Sequence, residues 1–380
     1  MSPALPASAL GSFRKDGVRI LAVTGSSGGH IFPALSFLAQ LKERRNDVET
    51  LLVLPKKNIK YEVIPHDYRV KQTCITSLSL RPDFKGIKGV LNFIKGWLES
   101  LFIFFEFRPD IVVGFGSLNS IPLILWAWFF RSKTLIHEQN LIPGRANRLL
   151  AKFCDKIAVS FEETKDYLKV AKNNLIFSGN PLRRQLEKVD KKEAAQFFGF
   201  DPAVFTLLVM GGSQGSSKIN AVFLRALSLI DRISCFQVVH ISGENDFDSL
   251  QKAYNVMGRK VKLFAFLKEM QYAYSAVDLA ISRAGATAIT ELIFFQLPAI
   301  IIPYPFAYRH QQANAAVLKN RGAAMVIDDD VLTPQLLAEA IGGCAGESEK
   351  IKAMRRGFDG ISLPDAGNVL TDAVLSLVLN

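Results

Sequence analysis

The chain has 380 residues, 49% of them hydrophobic, and a formal net charge of +11. That length exceeds the needs of one small core and suits two domains of ordinary size. Its four cysteines, Cys74, Cys154, Cys235 and Cys344, stand far apart without a CxxC pair, which argues against a zinc site or a disulfide framework and suits a reducing compartment.

In chain order, "MSPALPASALGSFRKDG" lacks a continuous apolar core and reads as a loose leader rather than a signal peptide. The strand-like "VRILAVTG" then runs into "SSGGHIFPAL", which spends Gly25, Gly28 and Gly29 on one turn and places His30 where the turn becomes a helix. Glycine lets another group approach the backbone closely, and a helix N-terminus offers unpaired N–H groups to an anion. The stretch predicts a strand–loop–helix unit with a titratable group at its lip, although a tight turn without a ligand fits these residues equally well. After "ETLLVLP" comes "RPDFKGIKGVLNFIKGWLESLFIFFEF", where Ile87, Val90, Leu91, Ile94, Trp97 and Leu98 recur at helical spacing beside Arg81, Lys85, Lys88 and Lys95. Residues 81–98 are expected to rest on an anionic membrane surface, and Leu101 to Phe107 to face the core. Residues 1–180 hold 25 Lys/Arg against 15 Asp/Glu, so nearly all the excess positive charge lies in the first half and calls for a partner of negative charge there. The uncharged run Ile111 to Phe130 is long enough to span a bilayer. Gly114, Gly116, Ser117, Asn119, Ser120 and Pro122 interrupt it, and it divides into a buried strand, a loop and a helix.

The short apolar runs continue with "DIVVGFG", "KTLIHEQ" and "KIAVS", then "FTLLVMGG", "FQVVHISG", "VKLFAF", "DLAISRAG" and "PAIIIPY". Runs of four to six apolar residues separated by helix-length stretches predict parallel sheets covered on both faces, a doubly wound α/β architecture. The pattern repeats: "ILAVTGSSGGH" answers "TLLVMGGSQGS", and "DIVVGFGS…TLIHEQNLIPGRAN" answers "DLAISRAG…AIIIPYPFAYRHQQAN". Two similar Rossmann-like halves follow, with a seam near "FSGNPLRRQLEKVDKKEAA".

In the second half, "MGGSQGSSKIN" frees its backbone at Gly211, Gly212 and Gly215 and adds Ser213 and Gln214 near a helix start, a loop able to cradle phosphate. It is neither a Walker A loop nor a GxGxxG fingerprint. In "SRAGATAITEL", Glu291 lies one turn beyond Thr287 on the same side of the helix, where a carboxylate can accept hydrogen bonds from a ribose diol. "YRHQQANA" offers the adjacent amides of Gln311 and Gln312 to sugar hydroxyls. "DFD" at 246–248 and "DDD" at 328–330 mimic an Asp-x-Asp metal motif, but both read as solvated loops, and no metal is expected.

In this order, "GSSGGHIFPAL", "HEQNLIPGRANRLLA", "GNPLR", "GGSQGSSKIN", "SRAGATAITEL", "LPAIIIPYP" and "HQQANA" resemble the MurG family of bacterial cell-wall glycosyltransferases, from about residue 20 to 330. The resemblance implies a GT-B fold of two Rossmann-like doubly wound domains whose parallel sheets face a central cleft. Residues 1–181 would form the acceptor- and membrane-facing domain, residues 182–361 the donor-binding domain, and a last helix at about 362–380 would pack back on the first. It implies transfer of GlcNAc from UDP-GlcNAc to the MurNAc 4-hydroxyl of lipid I, giving lipid II, with inversion. No cofactor and no nucleic-acid partner are implied, and the enzyme would sit peripherally on the cytoplasmic face of the plasma membrane. Carried over by position, Ser27, Gly28 and Gly29 would meet the donor sugar and phosphate, Asn140 the GlcNAc, and Arg183 and Ser213 the diphosphate. Leu267 would present backbone groups to uracil, while Ala286, Thr287, Ala288, Ile289, Thr290 and Glu291 would bind the UDP, with Glu291 on the ribose. Gln311 and Gln312 would meet the sugar, and His30 would be the catalytic or acceptor-side group. The chain departs from the family at "SLNSIP", after "GFG", and has Ser27 where threonine is usual. A transferase for another lipid, such as diacylglycerol, would share the donor half. A UDP-GlcNAc 2-epimerase would share the twin-domain plan without needing a membrane face. A dehydrogenase is disfavoured because neither glycine-rich loop has dinucleotide spacing.

Overall fold

The computed structural model describes residues 17–56, 64–75, 84–230, 236–257, 260–306, 309–345 and 348–379, the side chains of 84–87 and 348 excepted. The expectations for the leader, for Arg81 and for Cys235 lie outside the described residues, and those for Lys85 and Ile87 rest on side chains that are not described.

The chain forms two compact units: one runs to Arg183 and resumes at Pro364, and the other is Arg184–Leu363. The first begins β1 (Val18–Thr24), α1 (Gly28–Arg44), β2 (Val48–Pro55), β3 (Val70–Thr73), α2 (Phe84–Phe107), β4 (Ile111–Phe115) and α3 (Ser120–Phe129). It continues with β5 (Lys133–Glu138), α4 (Arg145–Leu150), β6 (Lys156–Val159) and β7 (Leu175–Phe177). The described strands make one parallel sheet in the order β3-β2-β1-β4-β5-β6-β7. The central strands β1 and β4 are apolar on both faces because helices cover both. Ile20 and Ala22 pack with Phe37, Leu38 and Leu41 of α1 on one side. Leu21 and Val23 pack with Ile103, Phe104, Leu123 and Ile124 on the other.

The uncharged run 111–130 is β4, a loop and α3, and among the described residues no helix is long and apolar enough to cross a membrane. Helix α2 departs from expectation in two places. Ile103, Phe104 and Phe107 are buried, but Phe102 and Phe105, expected in the core, are exposed. Trp97, expected on the outer surface, is half-buried with its ring 5.8 Å from that of Trp126. The helix is apolar nearly all round after Leu98, and only one stripe of it can face the sheet.

The second unit comprises α5 (Lys191–Phe197), β8 (Phe205–Met210), α6 (Ser217–Leu227), β9 (Phe236–Ile241), α7 (Glu244–Met257), β10 (Val261–Phe264) and α8 (Met270–Ala276). There follow β11 (Leu279–Ser282), α9 (Ala286–Phe295), β12 (Ala299–Ile301), α10 (His310–Lys319), β13 (Ala324–Val326), α11 (Pro334–Ala345) and α12 (Ser348–Arg356). The last helix, α13 (Ala366–Leu379), belongs to the first unit and lies along α1, with Leu370 and Val374 buried in its core. The second sheet is also parallel, ordered β10-β9-β8-β11-β12-β13. Strand order reverses between β1 and β4 in one sheet and between β8 and β11 in the other, and doubly wound sheets bind ligands beside such reversals, at the carboxyl ends of the strands.

Candidate functional site

In the first unit, the loop after β1 carries Ser27 as the extended residue before α1, with Gly28, Gly29 and His30 forming the first turn. The glycine spacing has a steric reason. A Cβ on Gly25 would lie 3.0 Å from His30 Cδ2 and 2.8 Å from Ser117 Cβ, and one on Gly116 would lie 3.0 Å from His30 Cε1. The imidazole is therefore seated between two backbone segments that only glycine keeps open. Gly116 has φ +79°, and so does its neighbour Ser117 nearly, at +76°. This is the "SLNSIP" departure, and a side chain there carries left-handed strain of about 1–2 kcal/mol.

Around His30 the end of β5 supplies a polar chain. His30 Nδ1 lies 3.3 Å from Gln139 Oε1, Gln139 Nε2 lies 3.1 Å from His137 Nδ1, and His137 Nε2 lies 2.9 Å from the Gly179 carbonyl. His137 is fully buried, and that burial pushes its imidazole down to about 4, so it is neutral at pH 7. Next to it, the buried Glu138 carboxylate accepts from Asn140 N (2.9 Å), Asn140 Nδ2 (3.1 Å), Gly144 N (2.9 Å) and Asn147 Nδ2 (2.8 Å). Four donors account for a carboxylate at a buried strand end, and they fix the loop on which Asn140 sits. Arg183, at the end of this unit's first segment, stacks its guanidinium 4.9 Å from the Phe32 ring of α1.

In the second unit, the loop between β8 and α6 exposes Ser213 and Gln214. Gly215 (φ +76°) lies so close to the turn after β9 that a Cβ there would meet Ser242 O. Ser216 caps α6, accepting from Ile219 N, and also accepts from Arg283 Nη2 at 2.9 Å. Arg283, 8% exposed, donates to Asp329 at 2.5 Å and to Ile302 O at 3.2 Å, which ties together the ends of β8, β11 and β12. In "DDD", Asp328 and Asp330 are exposed as expected, but Asp329 pairs with both Arg283 and Lys218. "DFD" is not a loop either, because it forms the first turns of α7, where Asp246 accepts from Asn220 Nδ2 at 2.7 Å.

Helix α9 opens at Ala286 behind an extended Gly285, with Thr287 and Ala288 half-buried in its first turn. Glu291 is 5% exposed and accepts from the Tyr274 hydroxyl at 2.6 Å. Ala286 is buried as well, and so are two further members of the expected UDP set. Ile289 is a fully buried core residue, and Thr290 donates its hydroxyl back to Ala286 O at 2.9 Å, as helix geometry requires of positions on the sheet-facing side. Leu267 is buried too. Gln311 spends its side-chain oxygen on Ala284 N (3.1 Å) and Tyr304 N (2.9 Å) and so holds two loops together, while Gln312 is exposed. Gln139, His137 and Glu138 stand in the same "HEQN" motif as Asn140, but nothing in the motif alone marks their hydrogen bonds. Nor does the sequence mark Tyr274 and Arg283, whose roles depend on partners distant in sequence.

Residues 20–159 match the glycosyltransferase family 28 N-terminal domain, and residues 206–368 match its C-terminal domain. The chain is 37% identical to the UDP-N-acetylglucosamine–N-acetylmuramyl-(pentapeptide) pyrophosphoryl-undecaprenol N-acetylglucosamine transferase of Geobacter sulfurreducens, across 94% of this chain and 98% of that one. It is 34% identical to the enzyme of the same description from Caldanaerobacter subterraneus subsp. tengcongensis, across 92% and 97%. Among solved structures it resembles Acinetobacter baumannii MurG (TM-score 0.74, 21% identity, 94% and 99% covered). It also resembles a putative UDP-N-acetylglucosamine 2-epimerase from Listeria monocytogenes (TM-score 0.69, 13% identity, 95% and 96% covered). At those identities the structural likenesses show the fold alone, two Rossmann-like domains of the GT-B class.

Proposed function

The chain belongs to the family of UDP-N-acetylglucosamine–N-acetylmuramyl-(pentapeptide) pyrophosphoryl-undecaprenol N-acetylglucosamine transferases, and from that premise we propose how its residues carry out the transfer. The enzyme moves GlcNAc from UDP-GlcNAc to lipid-linked MurNAc-pentapeptide, a step of peptidoglycan precursor synthesis. The observation that carries the assignment is full-length identity above 30% to enzymes of this one description, with both family 28 domains in order. The 2-epimerase reading keeps only the shared fold.

Donor binding falls to the carboxyl ends of β8, β11 and β12. The start of α9 and Ser213 face the diphosphate, where N–H groups and the helix dipole favour negative charge. Glu291, held by Tyr274, accepts from the ribose diol. In the displacement the acceptor oxygen bonds to the anomeric carbon as the bond to UDP breaks, with the electron pair leaving on the β-phosphate. The hydroxyl proton passes to a base, and His30 takes that role. Arg183 and the helix starts offset the charge gathering on the leaving diphosphate.

The acceptor is lipid-borne, and α2 and α3 supply a surface for it. Leu91 (61% exposed), Ile94, Leu98, Phe102 (74% exposed) and Phe105 form one stripe along α2, and Phe105 meets Phe130 at 4.9 Å, next to Trp128 and Phe129. Lys88, Lys95 and Arg131 are exposed around it. An apolar stripe bordered by cations fits an anionic bilayer, with each lysine contributing about 1 kcal/mol near the surface. The function is tested by incubating pure protein with labelled UDP-GlcNAc and lipid I. Labelled lipid II is the expected product, and its absence, with label appearing in another lipid or an epimer, refutes the assignment.

A further inference from the structure

Three hydrogen bonds between His30 and Gly179 decide which nitrogen of His30 carries its proton. A main-chain carbonyl can only accept, so His137 Nε2, 2.9 Å from Gly179 O, is protonated. His137 is buried and neutral, so its Nδ1 carries the lone pair and must be met by a donor, which is the amide nitrogen of Gln139 at 3.1 Å. A second contact fixes the same amide orientation: Gln139 Nε2 also lies 3.4 Å from the Phe115 carbonyl. The amide oxygen is thereby turned to His30 Nδ1, 3.3 Å away, and that nitrogen is the donor. Neutral His30 then has its lone pair on Nε2.

We propose that Gln139, oriented by His137 and the Phe115 carbonyl, is a positioning residue that locks His30 in its Nδ1–H form, so that Nε2 takes the proton from the acceptor hydroxyl. The inference rests on the reading of His30 as the base. When Nε2 accepts the proton, Nδ1 goes on donating to the same oxygen, so the chain of hydrogen bonds need not rearrange during the step. An amide does this without charge. A carboxylate in its place would also orient the ring but would favour its protonated form, so that the base would be available only at higher pH. The two glycines flanking the ring keep the imidazole in register with Gln139, because a Cβ on Gly116 would lie 3.2 Å from His30 Nδ1 and 3.5 Å from Gln139 Oε1.

The test uses full-length protein labelled with 15N in the imidazole rings, whose five histidines are assigned by single substitutions. Long-range 1H–15N spectra at pH 8 should show His30 protonated at Nδ1 and His137 at Nε2. In Gln139→Leu, His30 should shift toward the Nε2–H form, and kcat should fall on the order of tenfold or more, the lower end of what acid–base catalysis contributes, with UDP affinity unchanged. Gln139→Glu, which keeps an acceptor for Nδ1 but favours the protonated ring, should recover part of kcat only toward higher pH. In a His30→Ala background, Gln139→Leu should cost nothing further, since a residue acting through another is not additive with it. An Nε2–H His30 in the unmodified protein overturns the proposal, whatever the folding of the variants, and so do wild-type kcat in Gln139→Leu or full additivity with His30→Ala. Wild-type turnover in His30→Ala refutes the base reading itself and with it the relay's part in turnover. That failure is distinct, because the spectra read the tautomer independently of rate.

Discussion

Replacing Gly116 by alanine strikes the point where backbone, imidazole and amide meet. The residue has φ +79°, where an L side chain costs about 1–2 kcal/mol. The new methyl would also lie 3.0 Å from His30 Cε1, 3.2 Å from Nδ1 and 3.5 Å from Gln139 Oε1. The ring is the end of a side chain and can yield by a few tenths of an ångström, but its bond to Gln139 is already 3.3 Å long and does not survive the shift. Losing that bond adds about 0.5–1.5 kcal/mol. The sum is roughly 1.5–3.5 kcal/mol, and for a unit of about 200 residues each kcal/mol lowers the melting temperature by about 2–4 °C. Calorimetric melting should therefore show the transition of that unit lowered by about 3–14 °C, alongside reduced turnover and unchanged UDP affinity. A variant that melts and turns over like the parent would show that the glycine is not what seats His30.

Glu291→Ala should weaken UDP binding by about 1–3 kcal/mol, the cost of leaving a buried polar partner unpaired. Isothermal calorimetry giving parental affinity would remove Glu291 from the ribose. Burial lowers His137 to about 4 and His240 to about 3, so below about pH 6.5 the unfolded chain binds protons that the native state refuses. Stability present above that pH should decline as it falls toward 4, and urea titrations at pH 7.5 and 5 should show a smaller difference in His240→Phe than in the parent; an unchanged difference rejects that source of acid sensitivity. Ile94→Glu/Phe102→Glu should abolish co-sedimentation with vesicles containing anionic lipid, and binding by the parent should weaken with salt. Equal sedimentation of parent and variant would place the membrane face elsewhere.

Much of the architecture was legible because parallel strands buried on both faces must be apolar runs, and all ten such runs are strands of the two sheets. The three strands without such a run, β3, β7 and β13, all lie at sheet edges. An edge strand pairs on one side only and needs little apolar length, and "VKQT" over 70–73 shows how little. The glycine-rich turns were equally visible, since close approach leaves no alternative residue. Less visible was which face of a helix each motif residue takes. Ile289 and Thr290 are buried along with Glu291 of the same motif, and Gln311 differs from Gln312 only by one helical step. Asp329 looked solvated because its partners, Arg283 and Lys218, lie 46 and 111 positions away. Long-range ion pairs leave no local pattern.

Helix α13 covers α1, with Gln40 bonded to Asn368 at 3.1 Å and Arg44 paired with Asp372 at 2.7 Å, yet Arg184–Leu363 separates it from the rest of its unit. On the ribosome, the first unit therefore waits for its last helix until the whole second unit has been made. Through that interval the apolar surface of α1 that receives Leu370 and Val374 stays uncovered, a target for holdase chaperones and for self-association. The order of maturation is thereby inverted: the domain encoded second is free to fold to completion first.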